Sequence, residues 1–227
     1  MFESKYSKFL TIILIVVIIA ILGLLGFWVY DSYTRMNTEK DAAEYVDNYQ
    51  GGTANRDNNT DNDGSSTNTN SILEQLTDTP ISNNSSNSGK KEQYKGFNVV
   101  GTMDIPAINF HYPVLEKVTR QSLETSVAVL YPSGESLNQP GNTIVVGHNY
   151  RNGLFFSNNK KLSIGDKISV TDYRGTKLTY TIYNKFEADQ NDTSFYQRDT
   201  AGKAELTLST CTDASNNMRL IIFAKAD

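Results

Sequence analysis

One cysteine, Cys211, among 227 residues excludes an intrachain disulfide framework. Histidine is almost as scarce, with only His111 and His148, so any imidazole chemistry rests on one of these two. Excess charge of one sign is missing where a fold would sit. Residues 1–94 carry 7 basic and 12 acidic side chains, and residues 95–227 carry 14 and 13. No basic run marks the chain for nucleic acid. Hydrophobic content of 38% with 20% charged residues suits a globular core and carries no coiled-coil or collagen bias.

Charge is also absent from Phe9 to Tyr30, "FLTIILIVVIIAILGLLGFWVY", where Thr11 is the one clearly polar residue. As a helix this run spans roughly 33 Å, enough for a hydrocarbon core of about 30 Å. A cleaved signal peptide has a shorter apolar region and a small-residue cleavage site, and neither is present. Trp28, Tyr30 and Tyr33 suit an interfacial aromatic belt. Lys5 and Lys8 precede the span and Asp31 follows it, which predicts residues 1–8 in the cytoplasm and the rest outside.

Residues 31–94 read as an extracellular stalk, with the helix extending to about residue 50. Beyond that the Asn/Ser/Thr/Asp/Gly-rich composition predicts disorder and a coil reach of roughly 40 Å. Residues 95–227 read as one β domain. "FNVVGTMDI", "INFHYPVL", "NTIVVGHN", "KISVTDY", "KLTYTIYNKFE", "AELTLSTC" and "RLIIFAK" have strand composition, with "SIGD" and "DYRGTK" as turns. The expected class is all-β, a closed barrel of seven or eight strands. Short helices are expected over 120–131 and 188–200.

Three side chains in this domain suit nucleophilic chemistry, each with an ordinary alternative. Cys211 ends a strand run; a lone cysteine is often a small buried hydrophobe, but an unpaired thiol outside the cell is exposed to oxidation. His148 ends the apolar run "TIVVGHN", where it can enter a cleft or pack, whereas His111 sits mid-run. A thiol nucleophile needs a partner for its proton, which His148 supplies only if the two strand ends meet. Arg219 follows Cys211 by 8 positions, at the start of "RLIIFAK", and returns beside it if the connection is tight. Its guanidinium then suits an oxyanion or substrate carbonyl, and otherwise it is a surface arginine.

Together "TLSTC" (Thr207 to Cys211), "VVGHN" and the downstream Arg219 resemble the sortases, the membrane-anchored cysteine transpeptidases of Gram-positive bacteria. "VGTMDIPAINFHYPVL" and "QPGNTIVVGH" are similar to the family's early barrel strands, and the resemblance covers about residues 97–226. It implies that Cys211 attacks the carbonyl after Thr in an LPxTG-like sorting signal of a surface protein. It further implies that His148 serves as general acid and then base, and that Arg219 holds substrate and oxyanion. Thr210 is implied to lie beside the oxyanion as a substrate-binding residue. The acceptor would be lipid II or another peptidoglycan amine. Residues 187–203 are similar to the loop over the sorting-signal groove.

The 62 residues between His148 and Cys211 are too few for the long insertion of class B. No inhibitory lid motif or second span of the class C kind is apparent, so a class A, D or E likeness is expected. No cofactor is expected. Calcium on Glu187, Asp189, Asp192 and Asp199 is considered and not favoured. The competing functions are a pilin-polymerising sortase with a lysine acceptor and a catalytically silent wall-binding module.

Overall fold

The computed structural model describes residues 3–49, 91–212 and 217–227. The disorder expected after residue 50 falls on 51–90, outside the described residues. Helix α1 runs without interruption from Glu3 to Asn48. From Phe9 to Tyr30 its apolar side chains are exposed all round the helix, so this part is long and apolar enough to cross a membrane.

Beyond Asp31 the pattern changes to a single covered face. Arg35, Thr38, Ala42, Tyr45 and Tyr49 recur at three- and four-residue intervals, and all are at least partly covered. Ala42 is 1% exposed. Residues 35–49 therefore lie on the barrel, although their sequence was read as stalk. Tyr45 and Tyr49 join Tyr94, Val99, Leu115 and Ala128 in one apolar cluster. The stripe is built from Arg, Thr, Ala and Tyr, so it lacks the aliphatic periodicity that marks an amphipathic helix.

Among the described residues nine strands follow: β1 Gln93–Tyr94, β2 Phe97–Ile105, β3 Phe110–Leu115, β4 Val127–Tyr131, β5 Gly141–Val146, β6 Lys167–Asp172, β7 Lys177–Asp189, β8 Ala204–Cys211 and β9 Met218–Ala226. Their order is β1-β2-β3-β4-β5-β8-β9-β7-β6, and β2 also pairs with β6. That last pairing closes an eight-stranded barrel, with β1 as a short edge. Closure needs the backbones of β2 and β6 to approach closely at Gly101. A Cβ there would run into the carbonyl oxygen of Thr171, and the β2–β3 register shifts between Val99 and Gly101.

The barrel interior is filled by alternate residues of these strands, among them Met103, Val114, Val145, Ile168, Ile182, Leu208 and Ile222. Leu208 and Ile222 are fully buried across the β8–β9 pair, each contributing about 1.5–3 kcal/mol. These are the strands that carry Cys211 and Arg219.

The stretch 120–131, expected to be helical, divides in two. Helix α2, Arg120–Thr125, is closed by a capping box in which Ser122 N donates to Thr119 Oγ1 at 3.0 Å. The Ser122 Oγ in turn accepts from Thr119 N at 2.8 Å. Ser126 is extended, and its hydroxyl donates to Pro113 O at 2.6 Å. Val127–Tyr131 then continues as strand β4, since "VAVLY" can pack inside the barrel only at strand period. The helix expected over 188–200 does not form; β7 runs to Asp189 and turns follow.

Candidate active site

Strands β5, β8 and β9 are neighbours in the sheet. In the antiparallel β8–β9 pair Cys211 lies directly opposite Arg219, so both side chains project on the same face. The parallel β5–β8 register runs from Gly141↔Ala204 to Val146↔Ser209. Two further bonds extend it: Gly147 N donates to Ser209 O at 3.3 Å, and Thr210 Oγ1 donates to Gly147 O at 2.7 Å. His148 is the next residue, just past the end of β5 and beside the end of β8, where its neighbour Asn149 is bonded to Cys211 O. The topology thus sets His148, Cys211 and Arg219 in a row across three adjacent strands.

The residues around this row fix its shape. At Gly147 a Cβ would stand 2.7 Å from Val127 Cγ1 and 2.9 Å from Phe156 Cδ2, so no larger residue fits before His148. Asn149, which sequence reasoning missed, donates from Nδ2 to Cys211 O at 3.0 Å and ties the histidine loop to the end of β8. Tyr150 stacks beside His148 with ring centroids 4.8 Å apart. Thr210 is buried, and its hydroxyl proton is spent on Gly147 O rather than directed outward.

Burial lowers the His148 pKa below its ordinary 6.5, and the charge of Glu124 on α2 partly opposes this. The imidazole is therefore mainly neutral at pH 7. Arg219 donates to Met218 O at 3.2 Å and to Gln190 Oε1 at 3.5 Å, so its fork lies between the Cys211 edge and the loop after β7. A cleft of about 230 Å³ opens at the thiol, lined by Asn149, Phe156, Lys185, Glu187, Cys211 and Leu220. A larger cleft of about 590 Å³, lined by Lys91, Glu116, Leu130 and Leu137, holds none of the three residues.

The loop between β7 and β8 is pinned by a polar network that sequence reasoning also missed. Arg198 is ion-paired with Glu205 at 2.6 Å and donates to Thr207 Oγ1 at 2.8 Å. The Thr207 hydroxyl donates to Asn142 Oδ1 at 2.7 Å, and Asn142 Nδ2 donates to the carbonyls of Phe195 and Tyr196. The first threonine of "TLSTC" therefore anchors the loop, and the second joins the strand ends. The only signal in the sequence was the motif itself.

Of the acidic residues considered for calcium, Asp189, Asp192 and Asp199 each accept a backbone N–H within their own turn. Glu187 lines the thiol cleft instead. Among the described residues no three acidic or histidine side chains converge as a metal site. His111 stands apart from the row: its Nδ1 lies 3.2 Å from Asp104 and its Nε2 3.2 Å from Asp47 of α1.

Comparison with known proteins agrees with this geometry. The sortase domain family model matches residues 103–227. Sortase A of Bacillus anthracis is 28% identical over 133 residues, which are 56% of this chain and 58% of that relative's length. Among solved structures, sortase A from Corynebacterium diphtheriae aligns with a TM-score of 0.52 at 27% identity. That alignment covers 58% of this chain and 61% of the other. A Clostridium perfringens sortase D5 transpeptidase aligns at 0.50 and 26% identity, covering 57% and 79%. With an eight-stranded barrel, a cysteine–arginine pair across its last two strands and a family match over more than half its length, the chain belongs to the sortase family.

Proposed function

We propose that this chain is a membrane-anchored cysteine transpeptidase that cleaves an LPxTG-like sorting signal after its threonine. The single observation that carries the reading is the direct cross-strand pairing of Cys211 with Arg219, with His148 at the end of the adjoining strand. In the first half-reaction the Cys211 thiol gives its proton to His148 and the thiolate attacks the threonine carbonyl. The Arg219 guanidinium steadies the oxyanion. As the carbon–nitrogen bond breaks, the imidazolium returns the proton to the departing amine, leaving a thioester. An incoming amine then loses a proton to His148 and attacks the thioester, and the thiolate leaves.

The lowered pKa of His148 supports this cycle, because a weakly basic imidazole takes a proton only transiently and readily gives it back. Thr210 holds the β5 and β8 ends together through its hydroxyl, beside the place where the oxyanion forms. The N-terminal helix acts as anchor with its first residues in the cytoplasm, and the acceptor is an amine of a peptidoglycan precursor such as lipid II.

The test uses the full chain in detergent micelles with an LPxTG-type peptide and a choice of amines. Cys211→Ala and His148→Ala are expected to abolish cleavage and transfer. Arg219→Lys, which keeps the charge and loses the fork, should leave only a small residual rate. Turnover unchanged in Cys211→Ala would end the proposal, and transfer to a lysine side chain alone would point to the pilin-polymerising reading.

A further inference from the structure

Helix α1 is in contact with the barrel at the active-site end first. Arg35, held to Asp31 at 2.8 Å, donates from Nη1 to Asn152 O at 3.1 Å, in the loop that follows His148. One turn on, Glu39 approaches Gly153, and a Cβ on that glycine would stand 3.8 Å from the Glu39 carboxylate. Further along, Asp41 pairs with Lys95 at 3.0 Å and Asp47 with His111 at 3.2 Å. Tyr45 and Tyr49 end the contact against Tyr94.

The direction of this contact follows from the sheet register. Ile105↔Phe110 closes the β2–β3 hairpin at the end where Phe110 and Tyr112 meet Phe156 and Phe155 of the histidine loop. Val99↔Leu115, against Tyr49 and Tyr94, lies in the row Leu115–Ala128–Val146, two residues short of the level of His148. The helix therefore lies along β3 within the catalytic half of the barrel, and the membrane-spanning residues 9–30 continue from the side where Arg35 and Glu39 meet the histidine loop.

The barrel's sequence is adapted to this cover. On β3 the inward residues Phe110, Tyr112 and Val114 are buried as any barrel requires, but the outward Leu115 is fully buried too. Val99 and Ala128 belong to the same outer cluster and are also fully buried. Tyr45 and Tyr49 of the helix cover this apolar strip together with Phe97, Val118 and Leu123. The two ends of the 50–90 connection also meet, since Tyr45 and Tyr94 stack at 5.0 Å and Tyr45 Oη donates to Glu92 at 3.4 Å. The connection therefore does not set the distance between barrel and helix.

We infer that residues 31–49 form a strut that docks on β2 and β3 and holds the His148–Cys211 end of the barrel facing the bilayer at a fixed, short height. Arg35 lies five residues beyond Tyr30, about 7 Å along the axis. The three residues from Asn152 back to Asn149 span at most about 11 Å, and Asn149 is bonded to Cys211 O at 3.0 Å. The reacting end is thus tied to the start of the strut through Arg35, Asn152 and Asn149. The inference rests on the membrane-anchor reading of residues 9–30, and the test separates the two.

Cys211 is the single thiol of the chain, so a maleimide donor dye marks that position alone. The full chain is incorporated in phosphatidylcholine–phosphatidylglycerol vesicles carrying a headgroup-labelled acceptor lipid. Energy transfer from Cys211 should be high in the unsubstituted chain. It should fall at least twofold in Ala42→Arg, which forces a charge into a position 1% exposed. If that variant loses its near-ultraviolet circular dichroism, the triple substitution Arg35→Ala, Asp41→Ala and Asp47→Ala carries the test, since it removes polar contacts alone. Equal transfer in docked and undocked chains overturns the strut. Failure of the unsubstituted chain to float with the vesicles overturns the anchor on which it rests.

Discussion

Arg198 offers the sharpest test of how the loop between β7 and β8 is held. Its side chain is 15% exposed and that of its partner Glu205 11%, so both charges are largely removed from water. Nε and Nη2 both reach the same carboxylate oxygen, at 2.9 and 2.6 Å. The guanidinium also lies 3.9 Å over the Phe223 ring and donates to Thr207. Arg198→Ala leaves Glu205 with the Tyr183 hydroxyl, at 2.7 Å, as its remaining partner.

An exposed ion pair contributes about 0–1 kcal/mol, whereas breaking a buried pair costs about 3–5 kcal/mol because one charge stays uncompensated. With exposures this low, the loss should fall near 3 kcal/mol, measured by urea unfolding of the full chain in micelles followed by near-ultraviolet circular dichroism. Glu205→Gln should cost less, since the amide oxygen still accepts from Tyr183. The double variant should cost less than the sum of the two single ones. Because Arg198 and Asn142 together hold the 195–198 turn, Arg198→Ala should raise KM for the peptide more than it lowers kcat. A stability loss below about 1 kcal/mol, the range of exposed pairs, together with an unchanged KM, would refute the reasoning.

Thr210→Val keeps the shape of the side chain but strips Gly147 O of its donor in a buried place. It should cost about 1–3 kcal/mol and lower kcat with little change in KM, read by peptide cleavage and urea unfolding in parallel. Gly147→Ala should be worse for activity than for stability, since the added methyl pushes on Val127 and Phe156 directly before His148. Overpacking of this kind costs about 1–3 kcal/mol, and a fully active Gly147→Ala enzyme would contradict the contact distances. The acid limb of kcat/KM should lie below pH 6.5, because burial lowers the His148 pKa and a second proton on the thiol–imidazole pair stops attack. Glu124→Gln removes the charge that raises this pKa, so the limb should move to still lower pH; a shift upward would be contrary to the proposal.

Much of this protein can be read from local residue order. Alternating apolar and β-branched residues mark seven of the strands, because period-two patterning reports directly which side chains a sheet buries. The Cys211–Arg219 pair was legible for the same local reason: a strand, a short connection and a strand return the chain beside itself. The apolar run Phe9–Tyr30 is equally explicit about its solvent. "SVAVLY" was not legible, because a four-residue run of Val, Ala and Leu fits a helix or a strand, and the barrel wall decides.

Tertiary structure alone decided three further points. The parallel pairing of β5 with β8, which no local pattern encodes, brings the strand end that leads to His148 beside the one that carries Cys211. Thr207 and Thr210 look alike in the motif, yet one anchors the β7–β8 loop through Arg198 and Asn142 and the other ties two strand ends. Residues 35–49 read as stalk because their buried face is made of Arg, Thr, Ala and Tyr, residues equally at home in water. What turns that face into an interface is the apolar outer strip of β2, β3 and β4, which exists only once those strands stand side by side.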